Sequence, residues 1–384
     1  MIFAIPLAWL QLQRERIRLL VAVAGIAFAV VLMMMQFGFR DALFKAAVRF
    51  HDGINADIVL ISPQSTALIA MKTFTRRRLY QAGGFVGVES VSPLYLGFGL
   101  WRNPVDKTTR QLLVIGVDPT ADSFILPGVR ENREKIKLAD HALFDVDSRA
   151  QFGPVSQLLQ DNGRVITEVS GRQITVDAAF HMGANFGADG NLLTSDLNFL
   201  RLFPRRPVGL IDVGLIKVKP GTAVETLVAQ MRAELPNDVL VLTHQGFVDF
   251  ERTYWEKSTS IGFIFSLGAL MGFIVGTVIV YQVLYTDVSD HLPEYATLKA
   301  MGYRNLYFYG VVMQESLILS VLGYIPGVAV AFVLYNLIYR ATALPVGMTV
   351  ERALMVFVLT VMMCTVSGGI AMRRVQAADP ADIF

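Results

Sequence analysis

Charge is scarce in this chain. Only 17% of its 384 residues are Asp, Glu, Lys or Arg, while 53% are hydrophobic. With a mean hydropathy of +0.48, it is too apolar for an ordinary soluble protein and too mixed for a bare membrane bundle. Cysteine is nearly missing. Cys364 stands alone, inside an apolar run, so no disulfide forms within one chain and an extracytoplasmic part must hold by its core. Histidine is sparse too. His51, His141, His181, His244 and His291 form no H-E-x-x-H or other ligand spacing, which leaves no metal site to propose. His141, beside Asp140, Asp145 and Asp147, reads as part of a solvated loop. A G-x-x-x-x-G-K-[ST] motif is lacking, and with it any backbone cradle for nucleotide phosphates. Ser170 and Ser195 lack a nucleophile-elbow context. Arg76-Arg77-Arg78 and Arg205-Arg206 are short, isolated basic clusters in a chain of net charge +2, so nucleic acid is not an expected partner. No enzyme and no bound cofactor is expected.

What is present is a set of long apolar runs. Leu19–Phe37 is too long for the core of a signal peptide, and Arg40 and Asp41 follow it rather than a small-residue cleavage pattern. It reads as an uncleaved span of about 20 residues. The expected fold is an α-helical membrane protein of four transmembrane helices, with a large α+β extracytoplasmic domain between helices 1 and 2. Residues 1–18, with Trp9, Arg14, Arg16 and Arg18, read as a cytoplasmic surface helix. The first span is 19–38, and the extracytoplasmic domain with its stalk helices is 39–260. The second span is 261–285, followed by a cytoplasmic loop at 286–310. The third span is 311–338, a short outer loop is 339–352, the fourth span is 353–372 and a cytoplasmic tail is 373–384. Arg14, Arg16, Arg18, Lys299, Arg304, Arg373 and Arg374 outnumber Arg340 and Arg352, which puts both termini in the cytoplasm. That orientation places the large domain in the periplasm and the chain in the inner membrane. Arg40, Lys45, Arg49, Arg252 and Lys257 oppose it, but long translocated domains follow the charge rule poorly.

Within the large domain, 56–61, 86–91, 94–100, 111–117, 164–167, 173–176 and 213–219 read as strands. Helices are expected at about 73–82, 154–160 and 222–235, the last with Thr222 as N-cap and Glu225 completing a capping box. Asp122–Phe203 is richer in Asp, Asn and Gly and looks like an insertion. Leu43, Ala46, Ala47 and Phe50 extend the first span as a helical stalk, and Phe247, Phe250, Tyr254 and Ile261 suggest a second one.

Four features carry candidate function. Gly268, Gly272 and Gly276 form two overlapping G-x-x-x-G units in the second span, and Gly323 and Gly327 form one in the third, beside Pro326. Small residues let helices approach closely, within one chain or between two. Glu315 is an intramembrane carboxylate near the end of the third span, a functional position by default and here read as a structural coupling residue. Val366-Ser367-Gly368-Gly369-Ile370 superficially looks like a nucleotide-transporter signature, yet it sits inside the fourth span and reads as a helix contact. Lastly, Glu294-Tyr295-Ala296-Thr297-Leu298-Lys299-Ala300-Met301-Gly302 reads as a short helix in the polar loop. Pro293 suits its first turn and Gly302 its stop.

That last stretch resembles the cytoplasmic coupling segment of the MacB/FtsX-type ABC permeases. The tail Ala378-Asp379-Pro380-Ala381-Asp382-Ile383-Phe384 looks like their D-P-A-[ED] ending, and the order of span, large domain and three spans is also theirs. Tyr295–Tyr303 and Leu322-Gly323-Tyr324-Ile325-Pro326-Gly327 look closest to DevC, the permease of DevBCA-type exporters. The resemblance implies a homodimer, with a separate ABC ATPase subunit binding ATP and docking on each loop helix. It also implies mechanotransmission to the outer domains, a periplasmic membrane-fusion adaptor, a TolC-like outer-membrane channel and membrane lipid contacts. The implied cargo is lipid-like or otherwise amphiphilic, glycolipid if DevC-like. Glu294, Tyr295, Lys299, Met301 and Gly302 are the expected coupling-helix residues, with Glu294, Lys299 and Met301 at the contact. Two related readings stay open: an FtsX-like regulator of a periplasmic hydrolase, and a lipoprotein-releasing permease.

Overall fold

The computed structural model describes residues 16–185, 187–258, 260–342, 344 and 346–377. Most of the expected surface helix at 1–18 lies outside them, as does the D-P-A-D ending at 378–384. The chain divides into two compact units: Phe44–Thr259 is one, and Met1–Leu43 with Ser260–Phe384 is the other.

Helix α1 (Arg16–Asp52) is unbroken over 37 residues. At about 1.5 Å per residue it is about 55 Å long, well beyond the roughly 30 Å hydrocarbon core of a bilayer. Its last turns bury Ala46, Ala47 and Phe50, as their three- and four-residue spacing requires.

The unit Phe44–Thr259 is a mixed α/β domain. Its strands are β1 (Ile58–Ile61), β2 (Phe74–Thr75), β3 (Val88–Arg102), β4 (Thr109–Val117), β5 (His141–Asp145), β6 (Val165–Val169), β7 (Arg172–Phe180), β8 (Asn191–Ser195), β9 (Leu210–Ile211), β10 (Val213–Val218) and β11 (Leu240–Thr243). Its helices are α2 (Arg76–Gly83), α3 (Val129–Asn132), α4 (Val155–Asn162), α5 (Asp196–Leu202), α6 (Val224–Glu234) and α7 (His244–Thr253). The main sheet runs β11-β1-β10-β3-β4-β8-β5-β7-β6. The end of β3 also pairs with β6, through Trp101↔Val169 and Arg102↔Glu168. The strands from β3 round to β6 therefore close on themselves, while β10, β1 and β11 continue from the first half of β3. The β4–β8 and β5–β7 pairs are parallel.

Both faces of this sheet are covered. Successive side chains of a strand point to opposite faces. Ile58 and Leu60 accordingly join one core cluster, with Tyr95, Trp101 and Leu112. Val59 and Ile61 join another, with Leu94, Leu113 and Ile115. Continuous apolar runs such as Ile58–Ile61 follow from that double burial.

Several local expectations are corrected here. The strands expected at 86–91 and 94–100 are one strand, β3, which passes through Pro93. That residue gives the ladder no N–H and sits opposite Gly214. The stretch Asp122–Phe203 is not a separate insertion, because β5, β6, β7 and β8 lie in the main sheet. Its polar loops between short strands masked that. Thr222 is not a cap: α6 begins at Val224 after Ala223, without a side-chain cap. The Thr222 hydroxyl donates instead to the Gly87 carbonyl at 3.5 Å. The second stalk is not one helix either. After α7 comes a π-helical turn, Tyr254–Ser258, and a new helix starts at Ile261.

In the other unit, α8 (Ile261–Asp290), α9 (Leu292–Ala300), α10 (Asn305–Thr342) and α11 (Val350–Ala377) follow in order. Helices α1, α8, α10 and α11 are each long and apolar enough to cross a membrane. Pro326 lies within α10, which continues through it.

Candidate functional site

The loop between α8 and α10 is built around α9. Pro293 occupies its first turn, where a missing N–H costs nothing. Its far end is closed by backbone geometry. Gly302 has φ +96, and its N–H reaches the Lys299 carbonyl at 3.0 Å while the Tyr303 N–H reaches that of Leu298 at 3.1 Å. These two bonds satisfy carbonyls that a helix end leaves orphaned, and the positive φ asks for glycine.

The two sides of this loop differ. Tyr295 is 2% exposed; it packs against the Phe308 ring at 5.3 Å in a cluster with Val288, Val312 and Met372. It is therefore an inward anchor and not a surface contact, unlike its expected neighbours. Glu294 is exposed and Lys299 half-buried. Met301 is 64% exposed and Leu306 82%, so bulky apolar side chains stand uncovered where the helix ends.

Beneath α9 lies a set of charges. Asp287, near the end of α8, has Arg18 Nη1 at 3.7 Å and His291 Nδ1 at 3.8 Å from its Oδ1. Arg18 also pairs with Asp290 at 2.5 Å. Glu315 of α10 is fully buried. Asp287 is its acidic neighbour, and among the described residues no N–H or O–H donor reaches either of its oxygens. The sequence marked Glu315 but not its partner, because Asp287 reads as an ordinary polar residue at a span end.

Both glycine rows face α1 of the same chain. A Cβ on Gly268 would lie 2.5 Å from the Gln36 side chain, and one on Gly276 would meet Met363 of α11 first and Ala29 of α1 at 2.6 Å. Gly272 looks onto Leu32 and Met33. A Cβ on Gly323 would lie 2.5 Å from Ile26, and one on Gly327 2.8 Å from Val30. In the Val366–Ile370 stretch, the Ser367 hydroxyl donates to the Thr277 carbonyl at 2.8 Å and Gly368 faces Ser316. That stretch is thus a helix contact.

Asp145 and Glu251 are among the buried acidic residues of the domain Phe44–Thr259 that the sequence reading missed. Asp145 is fully buried and accepts from the backbone N–H groups of Met182 and Gly183 and from the Asn191 amide. Burial still pushes its carboxyl above the usual range, against those bonds. His141 begins β5 and pairs with Asp177, so the expected solvated loop is an ordered strand edge. Glu251, 2% exposed, accepts from Trp255 Nε1 at 2.8 Å and from the Leu68 N–H at 2.7 Å. Buried His51 places its Nε2 3.5 Å from Glu251 Oε2. Burial pushes the Glu251 carboxyl up to about 6, and the two hydrogen bonds oppose it. Among the described residues, no three His, Cys, Asp or Glu side chains gather to hold a metal ion.

Residues 264–380 match the family described as FtsX-like permease C-terminal. The match takes in α9 and all of α10, so the loop helix and Glu315 both lie inside it. Among curated proteins none matches the chain. Among solved structures, the periplasmic region of MacB from Actinobacillus actinomycetemcomitans is 10% identical; the match covers 53% of this chain and 94% of that one, with a TM-score of 0.35. The extracellular domain of the noncanonic ABC-type transporter YknZ from Gram-positive bacteria is 11% identical, over 49% of this chain and 100% of that one, with a TM-score of 0.33.

Proposed function

We propose that this chain is the permease subunit of an ABC exporter of the MacB/FtsX type. One observation carries the reading. Within the region matching the FtsX-like permease family, a short capped helix is anchored inward by Tyr295 and leaves Met301 exposed at its end. Such a helix can be pushed without unfolding. A separate ATPase subunit binds ATP and docks there, with Met301 as an apolar knob and Glu294 and Lys299 setting register. Gly302 stops the helix, and Tyr295 ties its movement to α10 through Phe308. The glycine rows support the pathway, because they hold α8 and α10 tightly against α1.

On this reading the domain between α1 and α8 stands outside the membrane and both termini lie in the cytoplasm, with the span limits given above. The unbroken helix α1 transmits displacement along its length. Two copies form the membrane unit. The likeness of Tyr295–Tyr303 and Leu322–Gly327 to DevC extends the proposal to a tripartite exporter with a periplasmic adaptor and a TolC-like channel, carrying an amphiphilic cargo such as a glycolipid.

The test is Met301→Glu in the full chain, reconstituted with the ABC ATPase subunit that copurifies with the wild type. Insertion and assembly should be unchanged while stimulation of ATP turnover falls about tenfold, a loss of about 1.4 kcal/mol at the contact. Full stimulation by the variant would overturn the docking role. The FtsX-like character of 264–380 also favours a second reading, a transmembrane regulator. Copurification of a periplasmic hydrolase, in place of an adaptor and channel, would select it.

A further inference from the structure

A helix held at one point can pivot, whereas a helix held at two levels of one face moves with whatever grips it. Helix α7 is held in the second way by the end of α1. His244, Phe247 and Glu251 follow one another at spacings of three and four, which puts them on one side of α7. His244 and Glu251 stand about 10 Å apart along it. All three meet His51, the last residue but one of α1. His244 Nε2 donates to the His51 carbonyl at 2.9 Å. The Phe247 ring lies against the His51 ring, with centroids 4.3 Å apart. Glu251 Oε2 lies 3.5 Å from His51 Nε2, and among the described residues neither ring nitrogen makes a hydrogen bond elsewhere. His51 is fully buried, so parting it from Glu251 without admitting water would strand a polar ring.

Glu251 holds a third segment as well. Trp255 Nε1 donates to Oε1 at 2.8 Å and fixes the carboxyl group, while Oε2 accepts the Leu68 N–H at 2.7 Å. Leu68 begins a short 3₁₀ turn, Leu68–Ala70, downstream of β1. Its side chain is buried in the same core cluster as Phe50 and Phe247. The end of α1, the Leu68 turn and α7 are separate stretches of sequence, yet one carboxyl group touches all three.

We propose that this carboxyl group is the pin of a clamp: Glu251 locks the end of α1, the Leu68–Ala70 turn and α7 into one body that opens and moves as a unit. If the permease reading holds, displacement along α1 is delivered to α7 and, through Leu68, to the segment that follows β1. That delivery rests on the permease reading; the clamp itself does not.

Amide hydrogen exchange of the full chain in lipid nanodiscs, without an ATPase, tests the clamp. It is measured at pH 5, below the value of about 6 to which burial pushes the Glu251 carboxyl, so that the wild-type side chain is largely neutral like its replacement. Peptides covering 46–52, 66–70 and 245–252 should share one protection factor, because they open together. Glu251→Gln keeps an acceptor for only one of Trp255 and the Leu68 N–H. It should speed exchange in all three peptides about tenfold and leave 111–117 in β4 unchanged. His244→Ala, which cuts the tie at the other level, should speed the same three peptides together. Unequal protection of the three in the wild type, or a Glu251→Gln effect that is missing or confined to 66–70, would overturn the proposal. If Glu251→Gln fails to fold, the wild type and His244→Ala decide alone. Failure here leaves the permease reading standing, and loss of that reading through Met301→Glu leaves the clamp standing.

Discussion

Arg352 Nη2 lies 2.7 Å from Asp41 Oδ2, across 311 positions of sequence. Arg352 is 4% exposed. Its guanidinium also donates to the Gly347 carbonyl at 2.8 Å and meets the Tyr335 hydroxyl at 3.4 Å. Tyr335 in turn donates to the Met34 carbonyl. One cation therefore fastens the start of α11 to α1 and to α10.

Removing one member of such a pair strands the other. Arg352→Ala should lower stability by about 2 kcal/mol. That is less than the roughly 3–5 kcal/mol of a fully buried pair, because Asp41 keeps partial contact with solvent. Asp41→Asn combined with Arg352→Met should recover part of the loss. Thermal melts of the purified chain in detergent check this; strictly additive losses would rule out the coupling.

The glycine contacts predict a contrast within one helix. Gly323→Ala places a methyl 2.5 Å from Ile26, and overpacking of this kind costs about 1–3 kcal/mol. Nothing lies within 4 Å of a Cβ on Gly310 in the same helix. Gly310→Ala should thus be neutral or stabilising by up to about 1 kcal/mol, through helix propensity alone. Equal effects in the two variants would show that the tight contact with α1 does not form.

Glu251 predicts a pH dependence. Its folded carboxyl is raised to about 6 from an ordinary 4.5, so the folded state binds a proton more tightly than the unfolded chain. The resulting stability is full below about 4.5 and is lost as pH rises through about 6. Glu251→Gln removes the titration and should flatten that slope, although it keeps an acceptor for only one of Trp255 and the Leu68 N–H and so lies at lower stability at pH 5. Melting curves from pH 4 to pH 8 test it; parallel curves for the two proteins would remove Glu251 as the cause.

Tyr295 and Met301 should separate folding from docking. Tyr295→Ala empties a packed aromatic contact and should cost about 3 kcal/mol, loosening α9 to proteolysis. Met301→Glu changes an exposed side chain and should leave the melting temperature within about 0.5 kcal/mol of wild type. Matching protease sensitivity in the two variants would contradict the inward and outward assignment.

Much of this architecture is written in local pattern. The long apolar runs set four helices, because an apolar helix is the structure that satisfies its own backbone in a membrane. Three-residue spacing through Phe50 carried α1 past Phe37, and Pro293 with Gly302 bounded the loop helix, since both residues act on their own backbone. Runs such as Ile58–Ile61 announced strands.

Other features rested on partners that sequence does not place. Tyr295 looked like its exposed neighbours until Phe308 and Met372 closed over it. Strands β5 and β8 are short and flanked by polar loops, and only pairing with β7 and β4 identifies them. Asp41, Glu251 and Asp287 each resemble ordinary surface acids; it took helices distant along the chain to bury them or to bring Arg352, His51 and Glu315 against them. Periodicity fixes what a segment is, because it acts between near neighbours. Which charges meet is decided by burial between distant segments, and that is a property of the folded chain alone.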